Sequence, residues 1–132
     1  VYVTPADRLQ SVAITSDATA AFEEIGLSYQ RIAWSPDGQL AYAAVTRASN
    51  QTTSKLYVTP SPGRPAQLVG KSDSHFVIYI YWAPTPCPAK PHCRRLAYLI
   101  EETEDIGLRL VELNAGEVEN RLIGTGWPFY LS

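Results

Sequence analysis

Apolar residues in this chain gather in short runs, and polar, Gly-rich or Pro-rich breaks separate them. The clearest unit is Ile32-Ala33-Trp34, then Ser35-Pro36-Asp37-Gly38, then Gln39-Leu40-Ala41-Tyr42. It reads as strand, turn and strand: Pro36 presets φ at the entry of the turn, Asp37 can hydrogen-bond the backbone of its own turn, and Gly38 tolerates positive φ. A second copy follows as Ile80-Tyr81-Trp82-Ala83-Pro84, an enlarged turn, and Arg95-Leu96-Ala97-Tyr98-Leu99.

Extending the pattern from Tyr29 predicts four strands, at Tyr29 to Trp34, Gln39 to Thr46, Ser54 to Thr59 and Ala66 to Gly70. Pro36-Asp37-Gly38, the polar run Ala48 to Thr53, and Ser61-Pro62-Gly63-Arg64-Pro65 separate them. The same plan then predicts strands at Phe76 to Trp82, Arg95 to Glu101, Gly107 to Leu113 and Val118 to Ile123, with Asn114-Ala115-Gly116 closing the last hairpin. Val1-Tyr2-Val3-Thr4-Pro5 nearly repeats Leu56-Tyr57-Val58-Thr59-Pro60, so the chain is expected to open on the third strand of a unit, with Leu9 to Ile14 as its fourth. Ser16 to Gly26 reads as a loop with at most one helical turn, since the stretch is near the minimum length for a helix. Trp127 to Ser132 occupies the place of another first strand.

The division that results is 1–27 as the end of a unit, 28–75 and 76–126 as complete units, and 127–132 as the start of a next one. Trp34 and Trp82 are 48 residues apart, Tyr42 and Tyr98 56, and Tyr2 and Tyr57 55. Four strands in such a period indicate propeller blades, because one four-stranded sheet cannot bury both faces alone and neighbours must stack. The expected fold is therefore all-β, a partial β-propeller of four-stranded antiparallel blades that does not close a ring by itself.

Trp34-Ser35-Pro36-Asp37-Gly38 followed by Leu40-Ala41-Tyr42, and then Leu56-Tyr57-Val58, resembles the WSPDG-type repeat of TolB-like β-propellers. It is also similar to blades in the propeller domains of prolyl-oligopeptidase-like peptidases. In the second unit Ala83-Pro84 stands for Ser-Pro and no Asp-Gly marks the turn. The repeat positions are Trp34, Pro36, Asp37, Gly38 and Tyr42 in the first unit, and Trp82, Pro84 and Tyr98 in the second. The resemblance implies a binding scaffold, whose partner is another protein or the remaining blades of the same propeller. Its alternative is the substrate-gating propeller of a secreted serine peptidase, which a downstream α/β-hydrolase domain would reveal.

Composition narrows this picture. Apolar residues make up 45% of the 132 and charged residues 18%, with eight Tyr, ten Pro and eight Gly, which excludes disorder and favours strands and turns. A formal net charge of -2 offers no basic stripe for phosphates, so no nucleic-acid partner is expected. Apolar runs such as Phe76 to Trp82 fall far short of the roughly 18 residues of a membrane span.

Candidate chemistry is sparse. No Gly-x-Ser-x-Gly elbow, His-Glu-x-x-His or phosphate-binding Gly loop is present, so neither catalysis nor a cofactor is expected. Trp34 and Trp82 fit packing between blades better than a ligand platform. Asp37 fits turn formation better than cation binding. Cys87 and Cys93 bracket Pro88-Ala89-Lys90-Pro91-His92 in a segment with four Pro between Pro84 and Pro91. A disulfide there would contribute about 2 kcal/mol by chain entropy and indicate an oxidising, extracytoplasmic compartment. Zinc is the rival reading, with Cys87, His92 and Cys93 as ligands and only distant His75 to complete four. Glu101, Glu102, Glu104 and Asp105 form an acidic loop that reads as solvated, with calcium or a basic partner as the alternative. Lys90, His92 and Arg94, on the enlarged turn, are the candidate partner-binding residues.

Overall fold

A computed structural model of the chain describes residues 2–3, 12–13, 27–48, 50–60, 64–73, 76–101 and 104–126. They form ten strands, β1 (Tyr2–Val3), β2 (Val12–Ala13), β3 (Ser28–Trp34), β4 (Leu40–Ala48), β5 (Gln51–Thr59), β6 (Gln67–Ser72), β7 (Val77–Trp82), β8 (Arg94–Glu101), β9 (Ile106–Asn114) and β10 (Glu117–Thr125). No helix occurs among the described residues. Expectations for Ser16 to Gly26 and for Trp127 to Ser132 lie outside them.

The strands build two antiparallel four-stranded sheets, β3-β4-β5-β6 and β7-β8-β9-β10, each with its strands in sequence order, and a two-stranded pair, β1-β2. Hairpin connections dictate this meander, since short turns can join only antiparallel neighbours. Strand ends extend beyond the sequence expectation in places. The polar run Ala48 to Thr53 is mostly strand, with β4 ending at Ala48 and β5 starting at Gln51. Thr52 and Thr53 are β-branched and sit opposite Arg47 and Thr46, so the ladder continues through them. At the other end, Ala115 and Gly116 take φ of 50° and 91° between Asn114 and Glu117, the two-residue left-handed reversal that matches strand twist.

The two sheets are register-matched copies. Trp34 lies opposite Leu40 and Trp82 opposite Leu96, while Ala41 and Ala97 face Val58 and Leu110. The fourth strands carry the same irregularity. Register slips by one residue between Leu56 and Tyr57, placing Gly70 opposite Leu56, and slips again in the second sheet, placing Gly124 opposite Leu108. Even the short pair fits, with Tyr2 opposite Ala13 and Val3 opposite Val12, as Tyr57 is opposite Leu68 and Val58 opposite Gln67.

Strand alternation gives each sheet two distinct faces, and one face of the first packs on one face of the second. From the first sheet come Ala41, Ala43, Leu56, Val58 and Val69; from the second come Trp82, Leu96, Tyr98, Ile100 and Val111. Corresponding edges meet, β3 against β7 and β6 against β10. Polar links run along the seam. The Trp82 indole N–H donates to the Ala33 carbonyl at 3.1 Å, and the Asn120 amide donates to the Val69 carbonyl at 2.7 Å and the Tyr98 phenol oxygen at 2.9 Å. The Gln67 amide reaches the Gly116 carbonyl at 2.8 Å. Gly70 is required beneath Tyr98, because a Cβ there would lie 2.7 Å from the phenol oxygen.

On the opposite face of the first sheet Leu40 and Tyr42 are buried, and the Tyr42 ring stacks on Tyr57 and meets Tyr29 edge-on, each with centroids 5.7 Å apart. The opposite face of the second sheet is different: Tyr79 is 49% exposed and Ile123 50%.

Candidate functional site

The first-to-second turns of the two sheets lie side by side, and there the copies diverge most. In the first sheet Ser35 builds a tight reversal: its N–H donates to the Gln39 carbonyl at 2.8 Å, its hydroxyl accepts from the Gln39 N–H at 2.7 Å and donates to Asp37 Oδ1 at 2.6 Å. Gly38, at φ of 84°, donates back to the Ser35 carbonyl. In the second sheet Ala83 N–H closes on the Arg95 carbonyl at 2.9 Å, the counterpart of the Ser35–Gln39 bond, but the excursion between is eight residues longer.

That excursion is internally tied. Cys87 and Cys93 are disulfide-bonded, with Cα atoms 5.3 Å apart, as the cysteine spacing led us to expect. Cys87 and Lys90 form an antiparallel bridge, Lys90 N–H donates to the Cys87 carbonyl, and Cys93 N–H to the Lys90 carbonyl. Ala89 takes a positive φ of 59° to make the bend. The zinc reading of Cys87, His92 and Cys93 is overturned, because both sulfurs are spent on each other and so are not thiolate ligands. Both half-cystines are buried, against the neighbourhood of Glu112 on β9, whose carboxylate lies with the two sulfurs inside 4.8 Å. His92 is exposed.

An ion pair joins the two turns. Arg94 Nε donates to Asp37 Oδ2, and Arg94 Nη1 also reaches the Pro91 carbonyl at 2.8 Å, so one side chain fastens the end of the disulfide loop to the turn of the first sheet. Burial pushes the Asp37 carboxyl up, yet the hydrogen bonds from Ser35 and Arg94 and the guanidinium charge outweigh it and hold the group below its ordinary 3.8. Asp37 is thus a turn residue, as its sequence context indicated, and also a clamp between sheets.

Two clefts open beside this junction. One, of about 160 Å³, is lined by Pro36, Asp37, Ala83, Pro84, Thr85, Pro86 and Arg94. The other, of about 320 Å³, runs between Trp34, Pro36, Ile80, Tyr81, Trp82 and Pro84. The two tryptophans occupy equivalent places with unequal surroundings: Trp82 is 6% exposed beneath β3, and Trp34 is 50% exposed. Packing between sheets therefore describes Trp82 and not the indole of Trp34.

Of the residues singled out in the sequence, the structure gathers Pro36, Asp37, Gly38, Pro84, Cys87, Cys93 and Arg94 at one end of the sheets, with Lys90 and His92 exposed on the loop above. Tyr42 and Tyr98 are in the interior. Glu104 and Asp105 are exposed at the other end of β8, Glu101 ends that strand, and Glu102 lies outside the described residues. Among the described residues no helix is long and apolar enough to cross a membrane.

Fold and site together define an all-β protein of two matched four-stranded antiparallel sheets, stacked face to face, with a disulfide-closed loop fastened across their junction. No family model, curated protein or solved structure matches the chain.

Proposed function

We propose that these sheets are consecutive blades of a TolB-like β-propeller, and that this piece is a non-catalytic scaffold binding a protein partner through the loop between β7 and β8. The observation that carries the reading is the loop itself. Where the first sheet turns in three residues, the second spends eight more, closes them with a disulfide and clamps them to Asp37. Packing accounts for the buried half-cystines Cys87 and Cys93 but not for Pro84, Thr85, Pro86, Pro88, Lys90 and His92, which all face solvent. A loop held in one shape loses less conformational entropy on binding, and loops on a rigid sheet scaffold are where recognition residues concentrate. Lys90 and His92 would contact the partner, with Arg94 holding the loop in place.

The disulfide supports an oxidising setting outside the cytoplasm as part of this reading. The blade reading rests on matched registers, corresponding edges in contact and a shared seam of apolar residues. The partner reading is tested by replacing residues 84–94 with the Pro-Asp-Gly turn of the first sheet and repeating affinity recovery from the native source. Loss of the partner with an intact far-ultraviolet spectrum is the expected result. Undiminished recovery of the same partner overturns the assignment.

A further inference from the structure

Glu112 keeps company with the disulfide and not with its cross-strand cation. On the ladder between β8 and β9 it stands directly opposite Arg95, yet among the described residues no ion pair joins the two, and the Arg95 Nε–H is buried without a partner. The Glu112 carboxylate lies instead with the Cys87 and Cys93 sulfurs, all three ligand atoms within 4.8 Å of one another. A disulfide has no hydrogen to donate to a carboxylate and no charge to offset it. The arrangement suits a different state of the same sulfurs.

We propose that, once the disulfide is reduced, Cys87, Cys93 and Glu112 form a zinc site. A dithiol reductant delivers two electrons and two protons to the S–S bond, which breaks to two thiols while the reductant closes its own disulfide. Zn2+ then binds both sulfurs as thiolates, and their two protons pass to solvent. Two thiolates and a carboxylate are ordinary zinc ligands, and water takes the fourth tetrahedral position. With metal bonds of about 2.0–2.3 Å the ligand atoms stand about 3.5–3.8 Å apart, so Glu112 closes by about an ångström while a rotamer change parts the sulfurs. The backbone already holds the two cysteines together without the S–S bond. Cys87 N–H donates to the Cys93 carbonyl at 3.3 Å, Lys90 N–H to the Cys87 carbonyl at 3.2 Å, and Cys93 N–H to the Lys90 carbonyl at 3.0 Å. Two thiolates and a carboxylate around Zn2+ leave a net negative charge, which the Arg95 guanidinium opposite Glu112 offsets. His92, although next to Cys93 in sequence, is not among the clustered ligand atoms. The metal thus closes the loop under reducing conditions as the disulfide does under oxidising ones.

The test reduces the protein with dithiothreitol under argon, removes the reductant by gel filtration, and titrates Zn2+ against a chromophoric chelator, with Co2+ as a spectroscopic probe. Expected are one Zn2+ per reduced chain and none on the oxidised chain, a thiolate-to-Co2+ charge-transfer band, and recovery by Zn2+ of the unfolding midpoint lost on reduction. Glu112→Gln weakens Zn2+ binding about tenfold or more, since even the outer-shell partners of metal ligands are worth that much. Cys87→Ser abolishes the charge-transfer band of the paired thiolates, and His92→Gln leaves affinity unchanged. An unaltered far-ultraviolet spectrum and midpoint of oxidised Glu112→Gln verify that this variant folds. No binding by the reduced protein, equal binding by the oxidised protein, an affinity indifferent to Glu112→Gln, or a larger loss for His92→Gln than for Glu112→Gln overturns the site.

Discussion

The two equivalent tryptophans make a matched experiment. Trp82 and Trp34 hold the same register position, yet only Trp82 is covered and only its indole N–H is bonded across the seam, to the Ala33 carbonyl at 3.1 Å. Trp82→Phe removes that donor, leaves a carbonyl at the sheet junction without its partner and opens a void where the second indole ring lay. The hydrogen bond is worth about 1 kcal/mol and the void one to two more, so the loss is about 2–3 kcal/mol. Trp34→Phe removes a ring that is half in water and costs less than about 1 kcal/mol. In thermal terms the first change lowers the midpoint by roughly 10 °C and the second by only a few degrees. Urea unfolding followed by far-ultraviolet circular dichroism, compared at constant m-value, separates the two because it does not depend on indole emission. Equal losses, or a larger loss for Trp34→Phe, would refute the claim that the seam between sheets, and not the repeat position, determines what each tryptophan contributes.

Three further outcomes follow from the same geometry. Gly70→Ala sets a Cβ 2.7 Å from the Tyr98 phenol oxygen and costs about 1–3 kcal/mol, and Tyr98→Phe in the same chain recovers part of the loss, which a double-mutant cycle in urea measures. Reduction of Cys87–Cys93 lowers stability by about 2 kcal/mol, read as a midpoint shift with and without reductant, and leaves the two sheets' far-ultraviolet signal unchanged below the transition. Because the Asp37 carboxyl is held below its ordinary 3.8, the stability linked to it is present above that pH and is lost as pH falls through its lower folded value. Asp37→Asn therefore flattens the acid limb of the stability profile below pH 3.8, and an unchanged limb would show that the Arg94 clamp contributes nothing to folding.

Strand order and turn positions were legible because each rests on local chemistry. Alternation, Pro-Asp-Gly and Asn-Ala-Gly act within a few residues, and the cysteine pair closes a loop only six residues in separation. The run Ala48 to Thr53 misled because polar composition resembles a loop while two adjacent β-branched threonines continue a ladder. Asp37 with Arg94 was not legible at all. The two lie 57 residues apart, on turns of different sheets, and nothing in either turn's own sequence requires the other. The unequal burial of Trp34 and Trp82 escaped for a related reason: identical sequence position gives identical register, whereas exposure depends on the neighbour that stacks above.

The fourth-strand glycines show why this gap is physical and not a matter of closer reading. Aligning a repeat by its period sets like against like, Trp34 with Trp82 and Tyr42 with Tyr98. The interface instead pairs unlike positions of adjacent units, a second-strand tyrosine with a fourth-strand glycine, and the pairing exists only because a bulge slips the fourth strand by one residue. Without the slip, Val69 and not Gly70 would stand opposite Leu56, and the phenol would meet a branched side chain. An identical slip sets Gly124 opposite Leu108 in the second sheet, so the bulge belongs to the repeat and not to one strand alone.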